Sequence, residues 1–133
     1  MKIIGSVKED LNIEKRISIT PETTKKFADL GFTINLEKNY GTHLGISDED
    51  YKNNGAIFNN SKKEVFEKSD IILKFSQITE QEVNLIKNKS ILIGQFDADS
   101  GNEIIVKLLQ KEVKIFSLNL LPRITRAQSM DIL

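Results

Sequence analysis

The sequence predicts a three-layer α/β sandwich, in which a mostly parallel sheet lies between two layers of helices. Two observations predict it. Short apolar runs alternate with amphipathic stretches along the whole of the 133 residues, the rhythm of strand and crossover helix. The composition, 39% hydrophobic and 29% charged, is that of a globular chain long enough to bury a core. No internal repeat, linker or low-complexity stretch divides it, so one domain is expected.

Ile3, Ile4 and Val7 open a buried strand. Thr20-Pro21-Glu22 reads as a helix start, with Thr20 as N-cap and proline at the first helical position, where its missing N–H costs nothing. That helix should run to Leu30, with Gly31 as its C-terminal cap. From Phe32 to Glu37 apolar and polar residues alternate, a strand signal. Gly41 and Gly45 bracket a loop, and Ser47-Asp-Glu-Asp starts a short helix with acidic residues at its positive end.

Val65 and Phe66 belong to a further short helix, and Asp70 to Phe75 is a strand. Thr79 to Ile86 reads as a helix and Ser90 to Gly94 as a strand. Asn102 to Gln110 is a helix with Ile104, Ile105, Leu108 and Leu109 on one stripe. Val113 to Leu118 is the last strand, and a helix begins at Arg126. Such an order implies right-handed crossovers and a sheet covered on both faces, of flavodoxin/Rossmann-like type.

Several function classes are excluded or disfavoured. Lys plus Arg and Asp plus Glu each number 19, leaving no excess of positive charge to hold nucleic acid or an anionic membrane. The pairs Lys25-Lys26 and Lys62-Lys63 read as solvated helix faces. Cysteine is absent, which rules out disulfides and thiolate chemistry. One histidine, His43, cannot build a multi-histidine metal site, and Asp97 and Asp99 read as turn or cap residues. No apolar leader or membrane-length run is visible, so a soluble, cytoplasmic chain without a metal is expected. The first strand runs into Gly5-Ser-Val-Lys-Glu-Asp, with no G-x-G-x-x-G turn for a pyrophosphate. The fold has the outline of a nucleotide-binding domain without its phosphate chemistry.

Three segments bear on that contradiction. Lys8, Glu9, Glu14, Arg16, Thr20 and Pro21 form a K-E-x-x-x-x-E-x-R-x-x-x-T-P pattern. Ser69 to Lys74 is a strand ending in lysine. Leu121 to Asp131 reads L-P-R-I-T-R-A-Q-S-M-D. Together they resemble the N-terminal domain shared by alanine dehydrogenases and the alpha subunit of proton-pumping NAD(P) transhydrogenases, and the last segment resembles the transhydrogenase branch. The resemblance implies that residues 1–133 are the first, non-nucleotide-binding domain of a two-domain protein, whose NAD-binding domain would follow. NAD(H) would lie mainly on that second domain. Arg123, Gln128 and Asp131 would face the nicotinamide, with Gln128 and Asp131 as the catalytic positions. Arg16 and Lys74 match the positions that hold pyruvate in alanine dehydrogenases.

Those enzymes also place a catalytic histidine in the loop corresponding to Gln95-Phe96-Asp97-Ala98, which contains none. The transhydrogenase branch, passing hydride from NADH to NADP+, is therefore expected. Implied with it are a homodimer, a membrane-embedded beta subunit, an NADP-binding domain opposite, and a place at the inner membrane held only through partners. The isolated domain is expected to be inactive. Two other readings stay open: the alanine dehydrogenase domain, and a stand-alone non-catalytic α/β module. On spacing alone Arg16 reads as a surface arginine, Lys74 as a solvated lysine, and Arg123 to Asp131 as the polar face of a helix start.

Overall fold

A computed structural model describes residues 2–9, 17–76, 78–94 and 102–117. Among them the elements run β1 (Ile3–Ser6), α1 (Pro21–Asp29), β2 (Thr33–Glu37), a 3₁₀ turn (Thr42–Leu44), α2 (Asp48–Asn53) and β3 (Ala56–Asn59). They continue with α3 (Lys62–Lys68), β4 (Ile71–Leu73), α4 (Glu80–Leu85), β5 (Ile91–Gly94), α5 (Asn102–Gln110) and β6 (Lys114–Ser117). The strands form one six-stranded sheet of order β3-β2-β1-β4-β5-β6, and every pairing is parallel. The predicted α/β class and parallel sheet are therefore observed.

Local chemistry sets the helix ends. Thr20 Oγ1 accepts the N–H of Thr23 at 3.1 Å ahead of Pro21, and Gly31 takes φ +96° after the C-cap, a conformation that favours glycine. Ser47 and Ser61 cap α2 and α3. Thr79 and Glu82 form a reciprocal capping box on α4.

Side-chain alternation divides the core into two. Val7, Val65, Phe66, Ile72, Val83, Leu92 and Leu108 pack on the face carrying α3, α4 and α5. Ile4, Ile34, Leu36, Tyr40, Tyr51 and Ala56 pack on the face carrying α1 and α2. Each fully buried Leu or Ile of these clusters contributes about 1.5–3 kcal/mol.

Some expectations need correction. The sequence reading holds no strand at β3, because its exposed Ile57 and half-buried Phe58 break the alternation of an edge strand. Val7 lies past the end of β1, although it is fully buried. Among the described side chains of α5 only Leu108 is fully buried, and Leu109 is exposed. A stripe wider than the core can cover leaves its outer member in solvent. Lys25 and Lys26 sit on a solvated face, in i,i+4 pairs with Asp29 and Glu22. Lys62 instead reaches the buried carboxylate of Glu82 at 3.0 Å. The expected helix from Arg126 lies outside the described residues.

Candidate functional site

The strand order reverses between β1 and β4, with later strands added on opposite sides of that pair, and open α/β sheets bind ligands beyond the carboxyl ends of such a pair. Lys74 directly follows β4 at that edge, and Glu9 lies three residues past β1. Gly94, at the end of β5, faces the same edge. A Cβ there would come within 2.8 Å of the Lys74 carbonyl oxygen, so glycine lets β5 close on the turn that carries the lysine.

Lys74 is not a solvated lysine. Its side chain is 5% exposed and that of Glu9 is 1% exposed. The ammonium donates to Ser76 Oγ at 2.9 Å and to Glu9 Oε1 at 3.4 Å, and it lies 3.8 Å from Glu82 Oε2. Glu9 collects more than the lysine. Its Oε2 accepts the N–H of Phe75 at 2.7 Å, and its Oε1 accepts the N–H of Ser76 at 3.2 Å and the hydroxyl of Ser76 at 2.5 Å. A carboxylate from just past β1 is thus seated in the turn that follows β4.

Glu82 joins the cluster from α4. Its Oε1 accepts the N–H of Thr79 at 2.8 Å, while Oε2 makes ion contacts with Lys62 and Lys74 without hydrogen-bond alignment. Glu9 and Glu82 therefore face the buried Lys74 and the partly exposed Lys62, and the charges of the four balance. Such balance is required, since an unpaired charge costs several kcal/mol in the interior.

A neutral network adjoins this one. Ser6 Oγ donates its single proton to the Leu73 carbonyl at 2.8 Å. Tyr40 O–H must therefore be the donor in the 2.8 Å contact between Ser6 and Tyr40. The Tyr40 oxygen accepts the N–H groups of Ser18 at 3.0 Å and Ile19 at 3.2 Å, and Tyr51 donates to the Ile19 carbonyl at 2.8 Å. Burial is the main reason that both phenols titrate above the ordinary tyrosine range. Together they pin the segment that follows residue 16.

Of the candidate site residues Arg16, Lys74, Arg123, Gln128 and Asp131, the structure places only Lys74. Arg16, Arg123, Gln128 and Asp131 lie outside the described residues, as do Asp97 and Asp99. His43 sits exposed in the 3₁₀ turn after β2. Among the described residues no group of His, Cys, Asp and Glu could hold a metal ion. No helix among them is long and apolar enough to cross a membrane.

Sequence reasoning assigns no role to Glu9, although it stands in the quoted pattern, and none to Ser76, Tyr40 or Glu82. A glutamate just past a buried strand, facing a strand that ends in lysine, is the available signal. The T-x-x-E spacing of Thr79 and Glu82 announces a capping box but not the second, buried carboxylate oxygen.

The described residues do not suit a dinucleotide pyrophosphate. The backbone N–H groups at the switch point already serve the Glu9 carboxylate, and a second anion beside it would be repelled.

Residues 5–133 match the family model described as alanine dehydrogenase/PNT, N-terminal domain. The chain is 33% identical over its whole length to an NAD(P) transhydrogenase subunit alpha protein of Rickettsia prowazekii, covering 36% of that protein. It is 32% identical to an alanine dehydrogenase of Methanococcus maripaludis, over 84% of the chain and 30% of the relative. A crystal structure of a transhydrogenase from Sinorhizobium meliloti superposes with a TM-score of 0.84 at 30% identity, over 98% of this chain and 39% of that one. The chain thus spans about a third of the length of the relatives it matches.

Proposed function

Because the chain belongs to the alanine dehydrogenase/PNT N-terminal domain family, we propose that it forms the N-terminal part of the NAD(H)-binding alpha subunit of a proton-translocating NAD(P) transhydrogenase. The reaction is hydride transfer between two substrates, NADH and NADP+. The nucleotide-binding domain that this reading requires would hold NADH. The present domain would close the cleft from the other side with Arg123, Gln128 and Asp131. An arginine can hold an oxygen of the substrate, and a glutamine offers both a donor and an acceptor to a neighbouring ring. Catalysis in this reading is positioning: the two rings are held in near-contact and water is kept out. The subunit would pair as a homodimer, meet an NADP-binding domain and a membrane-embedded beta subunit, and stay on the cytoplasmic side of the inner membrane through those partners. The isolated domain would be inactive.

One observation carries the choice of branch. The sole histidine stands in the turn after β2, on the far side of β1 and β4 from β5, and the segment after β5 has none. A reaction that needs an acid–base histidine there is disfavoured, whereas direct hydride transfer needs no such group. The alternative, pyruvate or alanine held by Arg16 and Lys74, is favoured by the lysine's place at the switch point. It is weakened by the ammonium's engagement with Glu9, Ser76 and Glu82.

Gln128→Ala in the intact enzyme tests the reading. Hydride transfer should slow by about 10-fold or more, the effect of losing a hydrogen bond that matters at the transition state, while NADH affinity stays nearly unchanged. A loss confined to affinity would overturn the role given to Gln128.

A further inference from the structure

We propose that the turn after β4 is an anion seat and that Glu9 is its built-in occupant, a positioning residue that holds residues 74–76 in shape and keeps external anions out. The seat consists of the N–H groups of Phe75 and Ser76, the Ser76 hydroxyl and the Lys74 ammonium, all directed at one carboxylate. Its position is the switch point between β1 and β4, where related architectures receive a ligand from solvent. Here the ligand group arrives on the protein's own chain, from three residues past β1.

Three observations separate this from an ordinary surface ion pair. The Glu9 side chain is 1% exposed. Both of its oxygens are used, Oε2 by the Phe75 N–H and Oε1 by Ser76 and Lys74. The ammonium that faces it is held from behind by Glu82, itself ion-paired to Lys62. Glu82 cannot replace Glu9, because its Oε1 is committed to the N–H of Thr79. Removal of the Glu9 carboxylate would leave the two N–H groups without a carboxylate acceptor, together with a buried ammonium facing a void about the size of the lost group. A small carboxylate has the charge and the acceptors to fill it. The inference is independent of which reaction the whole protein performs.

Glu9→Ala in the intact polypeptide tests it, with thermal unfolding followed as sodium formate or acetate replaces sodium chloride at constant ionic strength. The expected result is a lowered Tm that rises saturably by about 2–8 °C with the carboxylates. Wild type and Glu9→Gln, whose seat is filled, should show no such rise. A variant that responds equally to chloride, or a wild type that responds as strongly as the variant, would overturn the proposal. If Glu9→Ala does not fold, Glu9→Gln decides by NMR. The Phe75 amide proton should then move upfield more than other backbone amides, since it loses a 2.7 Å bond to a charged acceptor. An unmoved Phe75 resonance would contradict the proposal.

Discussion

Two buried polar networks meet at the carboxyl edge of the sheet, and they are built differently. On the α1/α2 face, Tyr40, Tyr51 and Ser6 form a neutral relay in which each hydroxyl has a partner. The two rings meet edge to face at 5.7 Å. On the other side of β1, Glu9, Lys74, Glu82 and Lys62 form a charged cluster, whose stability depends on every charge keeping its counterpart. The neutral relay fixes the backbone leading out of residues 10–16. The charged cluster shapes the turn where a ligand site would be expected. Loss of one member should be absorbed locally in the first network and spread through the second.

The largest effect follows from breaking the charged cluster. Lys74→Met leaves Glu9 buried without its cation and Glu82 with Lys62 alone, and should lower the unfolding free energy by about 3–5 kcal/mol, read from the urea midpoint at unchanged slope. A loss under about 1 kcal/mol would mean that the cluster is solvated rather than buried.

Tyr40→Phe should cost less, about 1–3 kcal/mol, because it leaves the N–H groups of Ser18 and Ile19 without their phenol acceptor. The same network contributes to the loss of stability at alkaline pH. Both phenols titrate above their ordinary range, chiefly through burial. The unfolded chain therefore releases these protons first, near pH ~10. Stability is fully present below about pH 10 and falls as pH rises through the folded values. Unfolding free energy measured from about pH 8 upward should fall less steeply in Tyr40→Phe than in wild type.

The smallest effect sharpens the comparison. Lys107 and Glu80 make an ion pair of 2.6 Å, shorter than any charge contact of Lys74. Both side chains are substantially exposed, at 39% and 65%, where solvent screening cancels most of the attraction. Lys107→Ala should leave the urea midpoint almost where it is in wild type. A drop comparable to that of Lys74→Met would show that distance, not burial, governs these pairs.

Much of this architecture is legible in the sequence, because local signals and burial agree there. Thr20-Pro21 and Gly31 mark the ends of α1, β4 and β5 read as apolar runs, and β2 reads from its alternation of apolar and polar residues. β3 escapes because an edge strand needs no full set of apolar residues, and Leu109 misleads because helical periodicity does not say how far the core extends. For the site, the sequence marks Lys74 and its strand. The partnership of Glu9 with the turn after β4 spans 66 residues between Glu9 and Phe75 and exists only once β1 and β4 are neighbours. Spacing along the chain cannot announce it. The same holds for Tyr40, whose phenol serves backbone groups on another segment.

The reading that matters most is hydride transfer between nicotinamide substrates rather than alanine oxidation. The most direct test assays the full-length protein, together with the partner subunits that this reading requires, for both NADH-dependent reduction of NADP+ and alanine-dependent formation of NADH. The first activity is expected and none of the second. Alanine-dependent NADH formation, without transfer to NADP+, would contradict that reading and return Arg16 and Lys74 to the role of substrate clamp.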